Sequence, residues 1–91
     1  MTATVLDRAW DVAPQVSVRP EPFGALLYHF GTRRLSFLKD RRLLAVVQAL
    51  GDAPTARAAC TSAGIEPSDM GAYERAIARL AETHMLRERV G

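Results

Sequence analysis

Apolar and polar residues alternate with a period of two in the first half of the chain and near 3.6 in the second. Val16 and Val18 alternate with Gln15 and Ser17. The run Arg19-Pro20-Glu21-Pro22 then carries two prolines, which lack N–H donors, so a short edge strand ending there is predicted. From Gly24 to Phe30, Leu26, Tyr28 and Phe30 share one face and Leu27 and His29 the other, which predicts a second, aromatic-rich strand. Gly31-Thr32-Arg33 reads as a turn. Arg34 to Leu38 alternates again, with Leu35 and Phe37 on one face, and completes a hairpin.

The period lengthens after Asp40, which is placed to cap a helix starting at Arg41. Leu43, Leu44, Val47 and Leu50 form its stripe and Gly51 ends it. Thr55 to Ala63, alanine-rich and set between Pro54 and Gly64, predicts a second, short helix. A third begins at Glu66 or Ser68, with Met70, Tyr73, Ile77, Leu80 and His84 recurring at spacings of three and four. Met85 to Val90 fits a short strand or a frayed end equally well. Residues 1–15 show no clear period and are predicted as a mobile or loosely packed arm, ahead of one domain over 16–91. Trp10 is the exception, expected to fold back because its area is costly to expose. Three strands then three helices make an α+β chain: a three-stranded antiparallel sheet followed by helices, in the outline of a winged-helix domain.

A chain of 91 residues supports one modest core, and 48% hydrophobic and 24% charged residues are ordinary for a globular domain. The single cysteine, Cys60, excludes an intrachain disulfide. The opening residues do not resemble a signal peptide and no apolar run is long enough to span a bilayer, so a cytoplasmic protein without membrane contact is expected. Charge is uneven. Between Gly31 and Arg42, five cations (Arg33, Arg34, Lys39, Arg41, Arg42) face Asp40 alone. Between Glu66 and His84, Arg75 and Arg79 stand against Glu66, Asp69, Glu74 and Glu82.

These patterns disfavour an enzyme. His29, His84, Cys60, Ser36 and the scattered carboxylates show no spacing that brings a base onto a nucleophile or a metal, so neither catalysis nor a cofactor is expected. Cys60 reads as a buried small residue, His29 as part of a strand face, and His84 as a helix end favoured by the dipole. A strand-addition site is the better reading. The last strand of a short sheet has an unpaired edge, here bordered by Arg33, Arg34 and Lys39, which either guard it against aggregation or form a rim for a partner's carboxylates. Leu35, Phe37 and Leu38 with Tyr73, Ala76, Ile77 and Leu80 are candidate walls, although the same stripe is also the natural core. Helix, turn and longer helix also fits a DNA-binding regulator, but an acidic third helix would meet phosphates unfavourably, so nucleic acid is disfavoured. A structural subunit of a larger enzyme is the remaining alternative.

The run Val18-Arg19-Pro20-Glu21-Pro22-Phe23-Gly24-Ala25-Leu26-Leu27-Tyr28-His29-Phe30, followed by Gly31-Thr32-Arg33-Arg34-Leu35-Ser36-Phe37-Leu38-Lys39, resembles the peptide chaperones of the mycofactocin system. More widely it is similar to the PqqD-like recognition domains of ribosomally made, modified peptides. The resemblance implies a winged-helix domain that holds the leader of a short precursor peptide and presents it to a radical S-adenosylmethionine maturase with iron–sulfur clusters, which does the chemistry. It further implies that the leader adds to the third strand, Arg34 to Lys39 with Ser36 among them, and rests against Tyr73, Ala76, Ile77 and Leu80 of the third helix.

Overall fold

The computed structural model describes residues 4–89; the first three residues of the predicted arm, and Val90 and Gly91, lie outside the described residues. The described residues form an α+β fold, with antiparallel strands and three α-helices. Strands are β1 (Trp10–Val12), β2 (Val16–Glu21), β3 (Gly24–His29), β4 (Arg34–Leu38) and β5 (Leu86–Glu88); helices are α1 (Arg41–Ala49), α2 (Ala56–Ser62) and α3 (Met70–Glu82). Three strands form one sheet in the order β2-β3-β4, and β1 pairs with β5 in a second, two-stranded one.

The second sheet corrects the expected three-strand count and the reading of the first fifteen residues as loosely packed. Over residues 4–15 the chain is built into the domain. Val5–Asp7 form a 3₁₀ turn, and Trp10, 6% exposed, donates its indole N–H to the Val5 carbonyl at 2.8 Å. Thus Trp10 does fold back. β1 meets β5 with Trp10 opposite Glu88 and Val12 opposite Leu86. A three-residue strand has too few positions to show a period, and its partner lies at the far end of the chain.

β2 also runs further than expected, through Arg19, Pro20 and Glu21. The ladder explains why. Phe30 donates to the Gln15 carbonyl at 2.8 Å, and the His29 carbonyl accepts from Arg33 at 2.7 Å. Backbone groups alternate sides along an antiparallel strand, so those of Ala25, Leu27 and His29 face β4 and those of Leu26 and Tyr28 face β2. Through the register, Ser17, Arg19 and Glu21 bond β3 while Pro20 faces the open edge, where its missing N–H costs no ladder bond.

The hairpin turn is held from inside. Nδ1 of buried His29 accepts from the N–H groups of Gly31 and Thr32, both at 3.0 Å, and Arg33 closes the turn with φ 59°. α1 packs on the inner face of the sheet, where Val46, Val47 and Leu50 meet Ala25, Leu27 and Leu38. Asp40 caps it, accepting from Arg42 N–H at 2.8 Å. Near its other end, the Arg89 guanidinium reaches the carbonyls of Gly51 (2.8 Å), Leu50 (3.2 Å) and Ala53.

α2 and α3 end alike. The N–H of Ile65 reaches back to Cys60 (3.0 Å) and that of Gly64 to Thr61 (3.0 Å); Met85 reaches Leu80 (2.9 Å) and His84 reaches Ala81 (3.1 Å). These pairs of bonds place Gly64 and His84 in the left-handed position after each helix, with φ 82° and 64°. His84 therefore lies exposed beyond α3 rather than on its stripe, which ends at Leu80 because the helix stops at Glu82. His84→Gly is expected to raise the unfolding free energy by about 0.5–1 kcal/mol, since only glycine adopts this conformation without strain. Urea denaturation of the two proteins checks it; an unchanged midpoint would mean the histidine makes a compensating contact.

Candidate functional site

α3 packs mainly against β5 and the Val5–Asp7 turn, and a cleft opens between β4 and α3. It encloses about 830 Å³. Ser36, Phe37, Leu38 and Lys39 form one wall, α3 the other, and Leu43 of α1 closes one side. Two rows of α3 face it, Arg75, Arg79 and Glu82 and then Ala76 and Leu80, with Ala78 at the flank and Thr83 just past the helix end. Small Ala76 leaves room, and buried Leu38 and Leu80, 1% and 4% exposed, form an apolar floor beside half-buried Leu43. Lys39, Arg75 and Arg79 outnumber the one carboxylate, Glu82, and among the described residues none of these three cations is in an ion pair.

β4 forms one wall of this groove and one edge of its sheet. Ser36 and Leu38 stand opposite Leu27 and Ala25, whose backbone groups face β4, so they bond inward. The N–H and C=O groups of Leu35 and Phe37 therefore point to the open edge.

The sequence-predicted residues separate accordingly. Ser36, Phe37, Leu38, Lys39, Ala76 and Leu80 come together around the groove. Tyr73 and Ile77 are buried at 6% and 0% exposure in the core behind it. Leu35 projects from the opposite face of the sheet, 53% exposed, and Arg33 and Arg34 sit at the hairpin end of β4, outside the groove lining. Sequence reasoning missed Leu43, Arg75 and Arg79. Their signal was present: Arg75 and Arg79 lie one residue before Ala76 and Leu80, on the flank of the apolar stripe.

Tyr73 fixes the groove's geometry from behind. Its hydroxyl donates to the carboxylate of Asp40, the second of the two residues between β4 and α1, tying α3 to the end of the strand. The Tyr73 hydroxyl, and then the Arg42 N–H, hold the Asp40 carboxyl below its ordinary value of 3.8. Burial, with the adjoining carboxylate, pushes Tyr73 up to about 12. The contribution of Asp40 to stability is thus complete above the ordinary carboxylate range and lost as pH falls through its lowered value. That of Tyr73 is complete below 10.0 and lost as pH rises through about 12. Tyr73→Phe is expected to cost about 2 kcal/mol near neutrality and to flatten both limbs of the profile. Urea midpoints measured across pH would show it, and limbs as steep as the parent's would contradict it.

The other candidate groups are dispersed. Cys60 is buried in α2, and burial raises its thiol, away from the reactive thiolate. Among the described residues no three of His, Cys, Asp and Glu gather as metal ligands, and no helix is long and apolar enough to cross a membrane.

Comparison with known proteins places the chain. The model of the Peptide chaperone MftB family matches residues 9–87. The peptide chaperone MftB of Mycobacterium tuberculosis is 60% identical over 80 residues, covering 88% of this chain and 73% of that protein. Its counterpart in Mycobacterium ulcerans is 59% identical over the same shares. That of Mycolicibacterium smegmatis is 51% identical, with 78% of its length covered. No solved structure matches the chain. The matched span takes in β1, the whole β2-β3-β4 sheet, the groove and most of β5, and the chain belongs to the peptide chaperone MftB family.

Proposed function

We propose that this protein is a non-catalytic chaperone of mycofactocin biosynthesis that binds the leader of a short ribosomal precursor peptide as an added strand on β4. It presents that peptide, in the cytoplasm, to a radical S-adenosylmethionine iron–sulfur maturase, and its sheet and three helices act as a winged-helix-like recognition domain. The reading rests on one observation above the others: the open backbone groups of Leu35 and Phe37 lie beside an apolar groove bordered by three cations. The curated relatives are named as peptide chaperones, which favours the same role here.

Energetics divide the work. Leu35 and Phe37 each offer one donor and one acceptor, together about 4 kcal/mol at the usual net value. A micromolar complex needs about 8 kcal/mol, after association entropy is overcome. Leader side chains that alternate toward the groove must supply the difference by burial against Leu38, Leu43, Ala76 and Leu80. Lys39, Arg75 and Arg79 then favour a leader bearing carboxylates. Isothermal titration with synthetic precursor peptide, whole and leader-truncated, tests this, with a random DNA duplex as control. Leader-dependent heat is expected; binding of DNA alone, or of neither, would end the proposal.

A further inference from the structure

The described large hydrophobic residues that stay well exposed all belong to one region. Phe23 (47%), Phe30 (62%), Leu35 (53%) and Phe37 (58%) lie on or beside the sheet face turned away from α1. The register explains the clustering. Leu35 stands opposite Tyr28 and Phe37 opposite Leu26, so these four side chains share the outer face. Tyr28 and Phe30 meet edge to face, their ring centroids 5.2 Å apart, and Phe23 approaches Phe37 at 6.3 Å. Together these two ring pairs, with Leu26 and Leu35 beside them, form an exposed apolar surface with no element of the described chain over it, and such a patch on a small domain marks an interface.

Charge identifies the occupant. On the outer face Arg19 is paired at 2.9 Å with Glu21, the carboxylate of that strand. Arg33 projects from the turn after Phe30, and the Arg41 guanidinium holds the Pro22 carbonyl at 3.0 Å next to Phe23. A second copy would bring this cationic border onto its own like. A different protein with an apolar centre and a carboxylate-rich border satisfies both parts. We propose that the outer face of the β2-β3-β4 sheet is the docking surface for such an acidic-bordered protein, which on the function proposed above is the maturase. Because β4 turns its open edge and groove to one side and Leu35 to another, leader and maturase can be held together, with the leader delivered along the same strand.

The test uses the intact protein, synthetic leader, and the purified radical S-adenosylmethionine enzyme of the same biosynthetic system. Phe23→Glu combined with Phe30→Glu alters the patch at two positions outside β4 and the groove lining, and Phe30→Glu alone, which leaves the Phe23–Phe37 contact intact, is its control; Arg33→Glu is a separate variant that alters only the border. The double variant is expected to weaken enzyme binding at least about tenfold in surface plasmon resonance, and Arg33→Glu mainly to slow association, while leader affinity by calorimetry stays unchanged. Full enzyme affinity in the double variant would overturn the proposal, as would a parallel loss of leader affinity, which would assign the patch to peptide capture. So would a concentration-dependent dimer of the parent, seen by sedimentation and abolished by the double variant. If the parent binds leader but no enzyme, the docking proposal falls and peptide capture stands; patch-dependent enzyme binding without leader binding would reverse that.

Discussion

Gly24→Ala is expected to lower the unfolding free energy by about 3–5 kcal/mol, a large part of what a domain of this size has. Gly24 begins β3 with φ 151°, a conformation that residues with a side chain rarely adopt. A β-carbon there would press on the carbonyl oxygen of Leu38 and lie 2.9 Å from the Asp40 nitrogen. Both obstacles are backbone, so no side chain can move aside. The displaced segment is the one that joins β4 to α1 and receives the Tyr73 hydroxyl, so leader affinity should fall with stability. Gly71→Ala is the control. It sits in α3 with only the Arg75 guanidinium near, 3.7 Å away, and should stabilise by about 0.5–1 kcal/mol. Urea unfolding followed through the single tryptophan, Trp10, reads both, and equal midpoints for Gly24→Ala and the parent would show that the junction can yield.

The second large effect concerns binding alone. Phe37→Pro should weaken leader binding at least about tenfold relative to Phe37→Ala, because it removes an edge donor and leaves a leader carbonyl unpaired. The alanine variant sets aside the loss of the ring. The β3–β4 ladder does not use the Phe37 N–H, so Phe37→Pro should unfold close to Phe37→Ala. Ser36→Pro should do the opposite, costing stability first, since its N–H bonds β3. Calorimetric affinity and urea midpoint for each of the three variants give the comparison; equal affinities for Phe37→Pro and Phe37→Ala would exclude a backbone bond at that position.

Much of the fold was legible because local chemistry and tertiary structure agree. Arg34–Leu38 emerged at its predicted limits and Asp40 caps the first helix as its sequence implies, while Thr55, expected as the first residue of the second helix, caps it instead. What was hidden depended on distant partners. Nothing local tells Trp10–Val12 that Leu86–Glu88 will lie beside it. Pro20 looked like a terminator because its orientation relative to β3 follows from register, which a single strand does not carry.

The candidate site was half legible for a related reason. Alternation shows which residues share a face but not which face is buried. Leu35, Phe37 and Leu38 all suggested the wall, yet only Leu38, with Ser36, points to the inner face; Leu35 and Phe37 face out, and of that pair only Phe37 also borders the groove. The inversion accounts for both surfaces at once: an outer aromatic face, and a groove whose cations come from α3 as much as from the hairpin. The acidic balance of the Glu66–His84 stretch concealed this, because Arg75 and Arg79 both face the groove and only Glu82 of its carboxylates joins them.

Amide hydrogen exchange by NMR, with and without saturating leader peptide, tests strand addition most directly. The account predicts an alternating pattern on β4: exchange slows strongly at Leu35 and Phe37, whose N–H groups gain partners, and changes little at Ser36 and Leu38, already bonded to β3. Unaltered exchange at Leu35 and Phe37 in a saturated complex, or slowing confined to β2 or α2, would contradict it.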